Sequence, residues 1–134
     1  MAKTVPQLSI RIDFDGGRLG PGKVELLEHI ARERSIAAAA RAMGMSYRRA
    51  WTLIETLNRL FREPVVITLP GRNVAGATEV TACGQEILAL YRDATRQAAA
   101  AAEPALKRLV ALAQPAARRA PPPARKSRGR ARRT

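Results

Sequence analysis

Apolar residues change their period several times along this chain, and each change predicts an element. In "QLSIRIDF", residues 7–14, Leu8, Ile10, Ile12 and Phe14 alternate with polar positions. A period of two predicts a half-buried strand. The "DGGRLGPG" that follows predicts a turn or loop. Pro21 suits the first position of a helix, and Val24, Leu27, Ile30 and Ala31 recur at helical spacing to about Arg34.

Ser35 is an N-cap for a second short helix with Ile36, Ala39, Ala40 and Met43 on one face, closed at Gly44. Ser46 caps a third helix. Its expected inward stripe is Tyr47, Ala50, Trp51, Ile54, Leu57 and Phe61, which leaves Arg48, Arg49, Thr52, Glu55 and Arg59 outside. "VVITL" and "GATEV" then bracket "PGRNVA", the pattern of two strands joined by a glycine-flanked loop. Thr81 caps a last helix through "CGQEILALYRDATRQAAAAAEPALKRLVALA", with Pro104 either kinking it or starting a new segment. From Pro115 the composition of alanine, proline and arginine has no apolar period and predicts disorder.

The order strand, helix, helix, turn, helix, hairpin, long helix predicts a mainly α fold with a little β, a winged helix-turn-helix. Expected boundaries are a winged domain over residues 1–82, a long linker or dimerisation helix over 83–113 and a basic tail over 114–134. The seam Ile87, Leu88, Tyr91, Ala94, Ala98, Leu106 and Leu109 is longer than so small a core covers, which predicts pairing with a second copy.

Charge changes the picture. The net charge is +13, but residues 115–134 carry eight basic groups and no acidic one. Such a polycation attracts polyanions by counterion release, nucleic acid first and an anionic membrane surface second, and double-stranded DNA is the expected partner. The longest apolar runs fall far short of the roughly 20 residues that span a bilayer, so no membrane association is expected and the cytoplasm, at the bacterial nucleoid, is the expected location. One cysteine, Cys83, and one histidine, His29, cannot supply the clustered ligands of a structural metal site. No nucleophile with a base, pair of converging carboxylates or phosphate-cradling glycine loop stands out, so neither an enzyme nor a cofactor is expected.

Leu19 to Asp93 resembles the N-terminal DNA-binding domain of the ModE family of molybdate-responsive regulators, a LysR-like winged helix. The residues that carry the resemblance are "LLEHIARERSI", "GMSYRRAW" with Ser46, Tyr47, Ala50 and Trp51, and "VTACGQEILALY" with Thr81, Gly84, Gln85 and Tyr91. The resemblance implies a dimeric, sequence-specific regulator whose third helix enters the major groove. Molybdate-sensing members carry C-terminal oxyanion-binding domains where this chain has an alanine-rich helix and a basic tail, so any effector is expected on a separate partner. Arg34 stands where a glycine commonly precedes the serine, and the family's glycine-rich wing becomes "PGRNVAGA".

Expected DNA contacts are Arg48, Arg49 and Thr52 near the start of the third helix, where arginine reads guanine through paired hydrogen bonds and threonine meets thymine. Ser35 and Ser46 begin helices and are either plain caps or phosphate ligands. Tyr47 either donates to the DNA backbone or packs at the edge of the core, and Trp51 is expected to be core. Arg72 and Asn73 at the wing tip either reach the minor groove or serve the turn. Two rivals compete with the regulator: a sequence-nonspecific architectural protein driven by the tail, and a winged-helix protein-interaction module.

Overall fold

The computed structural model describes residues 6–69 and 77–114. Gln7–Ala102 form one compact unit, and a second unit takes the chain from Glu103. The element order is β1 (Ile12–Phe14), β2 (Gly17–Leu19), α1 (Pro21–Glu33), α2 (Ile36–Ala42), α3 (Tyr47–Leu60), β3 (Val66–Thr68), β4 (Thr78–Val80) and α4 (Ala82–Leu112).

The strands form two antiparallel pairs, β1 with β2 and β3 with β4. The expected long strand over residues 7–14 is therefore short, and the expected loop "DGGRLGPG" holds a strand of its own. Phe14 pairs with Gly17, so Asp15 and Gly16 alone make the connection. A two-residue Asp-Gly link between extended segments is a hairpin signal, and it outweighs the glycine content of the stretch.

Three helices and the second hairpin enclose one core. Leu26, Leu27 and Ile30 of α1, Ala39 and Ala40 of α2, Ala50, Ile54 and Leu57 of α3 and Val65, Val66 and Val80 around β3 and β4 are all buried. The core residues of α1 and α2 recur at the three- and four-residue spacing that the sequence shows, with Leu26 added beside Leu27. Ser35 accepts from the Ala38 amide at 3.0 Å and Ser46 from the Arg49 amide at 3.0 Å, so both serines are N-caps. Gly44 takes a φ of 67°, the left-handed conformation expected at the break between α2 and α3.

Arg34 is the other left-handed residue, at φ 56° and ψ 34°, and closes α1 by donating its amide to the Ile30 carbonyl. Its own carbonyl accepts from the Thr78 amide at 3.1 Å, and Ser35 bridges Ala77. The corner between α1 and α2 is thereby hydrogen-bonded to β4. A glycine meets this backbone without steric cost, which accounts for the glycine common at this position in the family that the sequence resembles.

α4 starts on the Thr81 cap, whose hydroxyl accepts from the Gly84 amide at 3.0 Å and donates to the Pro64 carbonyl at 2.7 Å. The helix continues through Pro104. Pro104 is exposed and closely follows a run of alanines, the strongest helix formers, so the missing hydrogen bond does not interrupt it. Within the first unit, the Tyr91 hydroxyl donates to the Ile10 carbonyl at 2.6 Å and Arg92 pairs with Glu28 of α1 at 2.9 Å. Within the second, Lys107 and Glu103 lie one helical turn apart at 3.7 Å.

Gly84 makes the approach of α4 possible. A Cβ there would stand 2.5 Å from both the Val65 carbonyl oxygen and the Val80 side chain. Gly84→Ala is therefore expected to cost about 1–3 kcal/mol through overpacking, read as a lower urea midpoint at unchanged slope; a stability equal to wild type would show that α4 does not pack this closely.

Candidate nucleic-acid interface

The rotation of α3 decides which side chains face out. Its buried residues, Ala50, Ile54 and Leu57, form a narrow stripe, and Leu53, Leu60 and Phe61 are half-buried beside it. At 100° per residue, the opposite meridian runs through Arg48, Thr52 and Arg59, and all three are exposed. Ser46 and Arg49 are exposed as well. Thr52 donates its hydroxyl to the Arg48 carbonyl at 3.0 Å, which leaves its methyl group and an oxygen lone pair for an outside partner.

Two residues expected inside are outside. Tyr47 is 55% exposed and Trp51 47% exposed. Both belong to a flank of the helix some 60–100° from the centre of the buried stripe, too far round to enter the core that Ala50 and Ile54 fill. Trp51 is therefore not a core residue. With Tyr47, Arg48 and Thr52 it lines a shallow depression on the outer surface. The missed signal is angular: Ala50 and Ile54 are four apart and define the inward direction, whereas Trp51 departs from Ala50 by a full 100°.

Each flank of α3 is held by a different hairpin. On the Trp51 side, the Asn58 carboxamide oxygen accepts from the Val65 and Val66 amides at 2.7 and 3.1 Å, and its nitrogen donates to the Val66 carbonyl at 3.0 Å. This clamp ties α3 to β3; nothing in the sequence pattern marks it. On the other side, Leu60 and Thr56 are the near neighbours of Gly16 and Gly17 in the first hairpin, and Phe61 meets Phe14 edge to face with ring centroids 5.5 Å apart.

Not all of the expected site residues gather there. Ser35 is half-buried at the start of α2, serving its own helix and the bridge to Ala77. Arg72 and Asn73 lie outside the described residues. Of the expected dimer seam, Ile87, Leu88 and Tyr91 are buried within the protein's own core, so they are not available to a second copy. They face α1 and the strands because the helices of the domain leave that side of the core open to α4. Ala94, Ala98 and Leu106 are half-buried and Leu109 is exposed.

Ionisable groups divide the surface. Arg92 pairs with Glu28, Arg96 with Asp93, Arg59 with Glu55 and Arg11 with Asp13, whereas Arg18, Arg48 and Arg49 take no carboxylate partner among the described residues. Partial burial, then the neighbouring Arg18 guanidinium, hold the Lys23 ammonium below the usual lysine range. Desolvation, then the Glu63 and Glu86 carboxylates, push the Cys83 thiol up, away from the reactive thiolate. No group of three or more His, Cys, Asp or Glu residues among those described is placed to hold a metal ion, and no described helix is long and apolar enough to cross a membrane.

A capped three-helix unit with an outward-facing third helix and a following hairpin defines a winged helix-turn-helix domain. Residues 22–85 match the model of the bacterial regulatory helix-turn-helix protein, lysR family. The chain is 46% identical over 72 residues to the molybdenum-pterin-binding protein MopA of Rhodobacter capsulatus, and 42% identical over 82 residues to the molybdenum transport protein ModE of Azotobacter vinelandii. It is 35% identical over 71 residues to the DNA-binding transcriptional dual regulator ModE of Escherichia coli. These matches take in 53–60% of this chain but only 27–30% of each relative's length.

Because Trp51 is half outside, Trp51→Ala is expected to cost about 1 kcal/mol rather than the roughly 3–5 kcal/mol of a core tryptophan. Chemical denaturation followed by circular dichroism checks this; a loss at the core value would return Trp51 to the interior.

Proposed function

We propose that this protein is a sequence-specific, DNA-binding transcriptional regulator that enters the major groove of duplex DNA with α3. The observation that carries the reading is the outer face of that helix: Arg48 and Arg49 project from its first turn without carboxylate partners among the described residues, beside Thr52 and the exposed Trp51. A recognition helix meets base edges with its N-terminal residues, and an unpaired arginine is free to take both acceptors of a guanine. Tyr47 and Trp51 offer apolar surface of the kind that meets a thymine methyl. Ser46 is used as a cap, and the first amides of α3 still point outward toward a phosphate. The lysR-type domain match and the DNA-binding role of the Escherichia coli relative support the same reading.

The protein acts as a homodimer in this reading, with two recognition helices about one DNA turn, roughly 34 Å, apart. Its contact surface is the later part of α4, where Leu109 and Leu112 are exposed, rather than the Ile87, Leu88 and Tyr91 segment that the core already covers. The eight basic groups of residues 115–134 add sequence-independent affinity. A coating protein driven by that tail would bind all duplexes alike, and a protein-interaction module would bind none.

Changing Arg48 and Arg49 together to alanine is expected to leave the fold intact and to weaken binding to a duplex selected from a random pool by about 1–3 kcal/mol for each arginine that reads a base. Fluorescence anisotropy with the selected and a scrambled duplex reads this. Equal affinity of wild type for both duplexes, or an unchanged affinity of the variant, would contradict the reading. Separately, sedimentation equilibrium at micromolar concentration is expected to give a dimer that Leu109→Glu converts to a monomer; a wild-type monomer both free and on DNA would rule the dimer out.

A further inference from the structure

Cations from other elements gather beside α3. Arg11 and Arg18 of the first hairpin segment, Lys23 of α1 and Arg49 of α3 line one depression, whose floor includes Met45 and Leu53. Among the described residues no carboxylate lines it. Arg11 lies beside Gly20, 3.5 Å from where a Cβ would stand, and is neutralised by Asp13 at 3.1 Å. The Lys23 ammonium donates to the Arg18 carbonyl at 2.8 Å, which anchors the lysine to β2 next to the Arg18 side chain. Three like charges, from Arg18, Lys23 and Arg49, thus share one concave surface, and Asp13, which lies across the ladder from Arg18, is engaged by Arg11. Partial burial, then Arg18, already disfavour the charged lysine, so an anion seated here relieves the repulsion between Arg18 and Lys23.

Two other depressions of the domain differ. The one between the start of α1 and α4 has Glu25 and Glu28 facing Arg92 and Arg96, and its neighbour has Glu28 between Arg32 and Arg92. There the protein supplies its own counter-charges. The Arg18, Lys23 and Arg49 depression lies on the side of α3 that faces the first hairpin, opposite the flank clamped to β3 by Asn58.

We infer that the depression formed by Arg18, Lys23 and Arg49 binds a backbone phosphate of the duplex, at the margin of the major groove away from the wing. The inference rests on the reading that α3 enters the groove, and it adds a second point of attachment that fixes the tilt of the helix. Arg49 belongs both to the rim of the depression and to the exposed face of α3, so a phosphate seated here would sit next to the residues that meet the bases. Such an attachment carries no sequence information of its own; it positions the residues that do.

The test is a salt titration of duplex binding by the full chain, comparing wild type, Arg18→Gln with Lys23→Gln, and Arg32→Gln. Arg32 is an exposed arginine on the side of α1 nearest Glu28 and Arg92, away from the depression, and serves as the charge control. Each phosphate no longer neutralised lowers the slope of log affinity against log salt by about 0.9. The double variant is expected to lose affinity by the same factor on selected and scrambled duplexes and to show a slope reduced by about that amount, with its thermal midpoint unchanged or raised. Arg32→Gln is expected to stay near the wild-type slope. A double variant indistinguishable from Arg32→Gln, or one whose loss is confined to the selected duplex at an unchanged slope, overturns the phosphate site while leaving the reading of α3 in place. A wild-type chain that binds no duplex at any salt overturns both.

Discussion

A stripe only three residues wide holds α3, and most of what the domain presents to solvent follows from it. Ala50, Ile54 and Leu57 are buried to the point of having almost no exposure to water. Alanine at the centre of that stripe lets α3 approach its neighbours closely, and the two larger residues give it one favourable rotation. Turning the helix by one residue would carry Ile54 and Leu57 toward water and bring Trp51 inward, against a site sized for Ala50. Burial of each large aliphatic side chain stabilises by about 1.5–3 kcal/mol, so this rotation is strongly set. The exposure of Arg48, Thr52 and Trp51 is the other side of the same constraint.

The two hairpins turn that rotation into a fixed pose. Asn58 satisfies the Val65 amide and the amide and carbonyl of Val66 with one side chain, and the loss of such a clamp leaves amides without partners, at roughly 1–3 kcal/mol for each that is not rehydrated. The first hairpin braces the opposite flank through Leu60, Thr56 and the Phe14 and Phe61 pair. α4 adds a third brace by packing Gly84 on the second hairpin and hydrogen-bonding Tyr91 to Ile10. A helix braced from both sides keeps its outer side chains in register, which a surface that reads a groove requires.

Much of this is legible in the sequence, and the exceptions have physical causes. The serine caps, the glycine break after α2, the second hairpin and the Thr81 cap follow from local chemistry, where one residue type suits one backbone geometry. The match to the lysR-type helix-turn-helix model falls on residues 22–85, where the runs that carry the resemblance lie. What escapes depends on angle and distance across the chain. Trp51 is apolar and next to Ala50, so a count of apolar positions includes it, whereas only the direction set by Ile54 and Leu57 excludes it. The seam of α4 reads as unburied because the sequence does not say that Ile87, Leu88 and Tyr91 complete the core of their own domain. Asn58 and the grouping of Arg18, Lys23 and Arg49 join segments far apart in the chain, and no periodicity reports them.

Trp51, the only tryptophan of the chain, is a native reporter of the α3 surface and decides whether that surface is where DNA docks. On titration with a selected duplex, its emission is predicted to change saturably, with the same midpoint as the anisotropy of the labelled DNA, because the half-exposed indole lies beside Arg48 and Thr52 on the docking face. A duplex that binds by anisotropy while the tryptophan emission stays constant would mean that the protein meets DNA elsewhere, and would contradict a recognition role for α3.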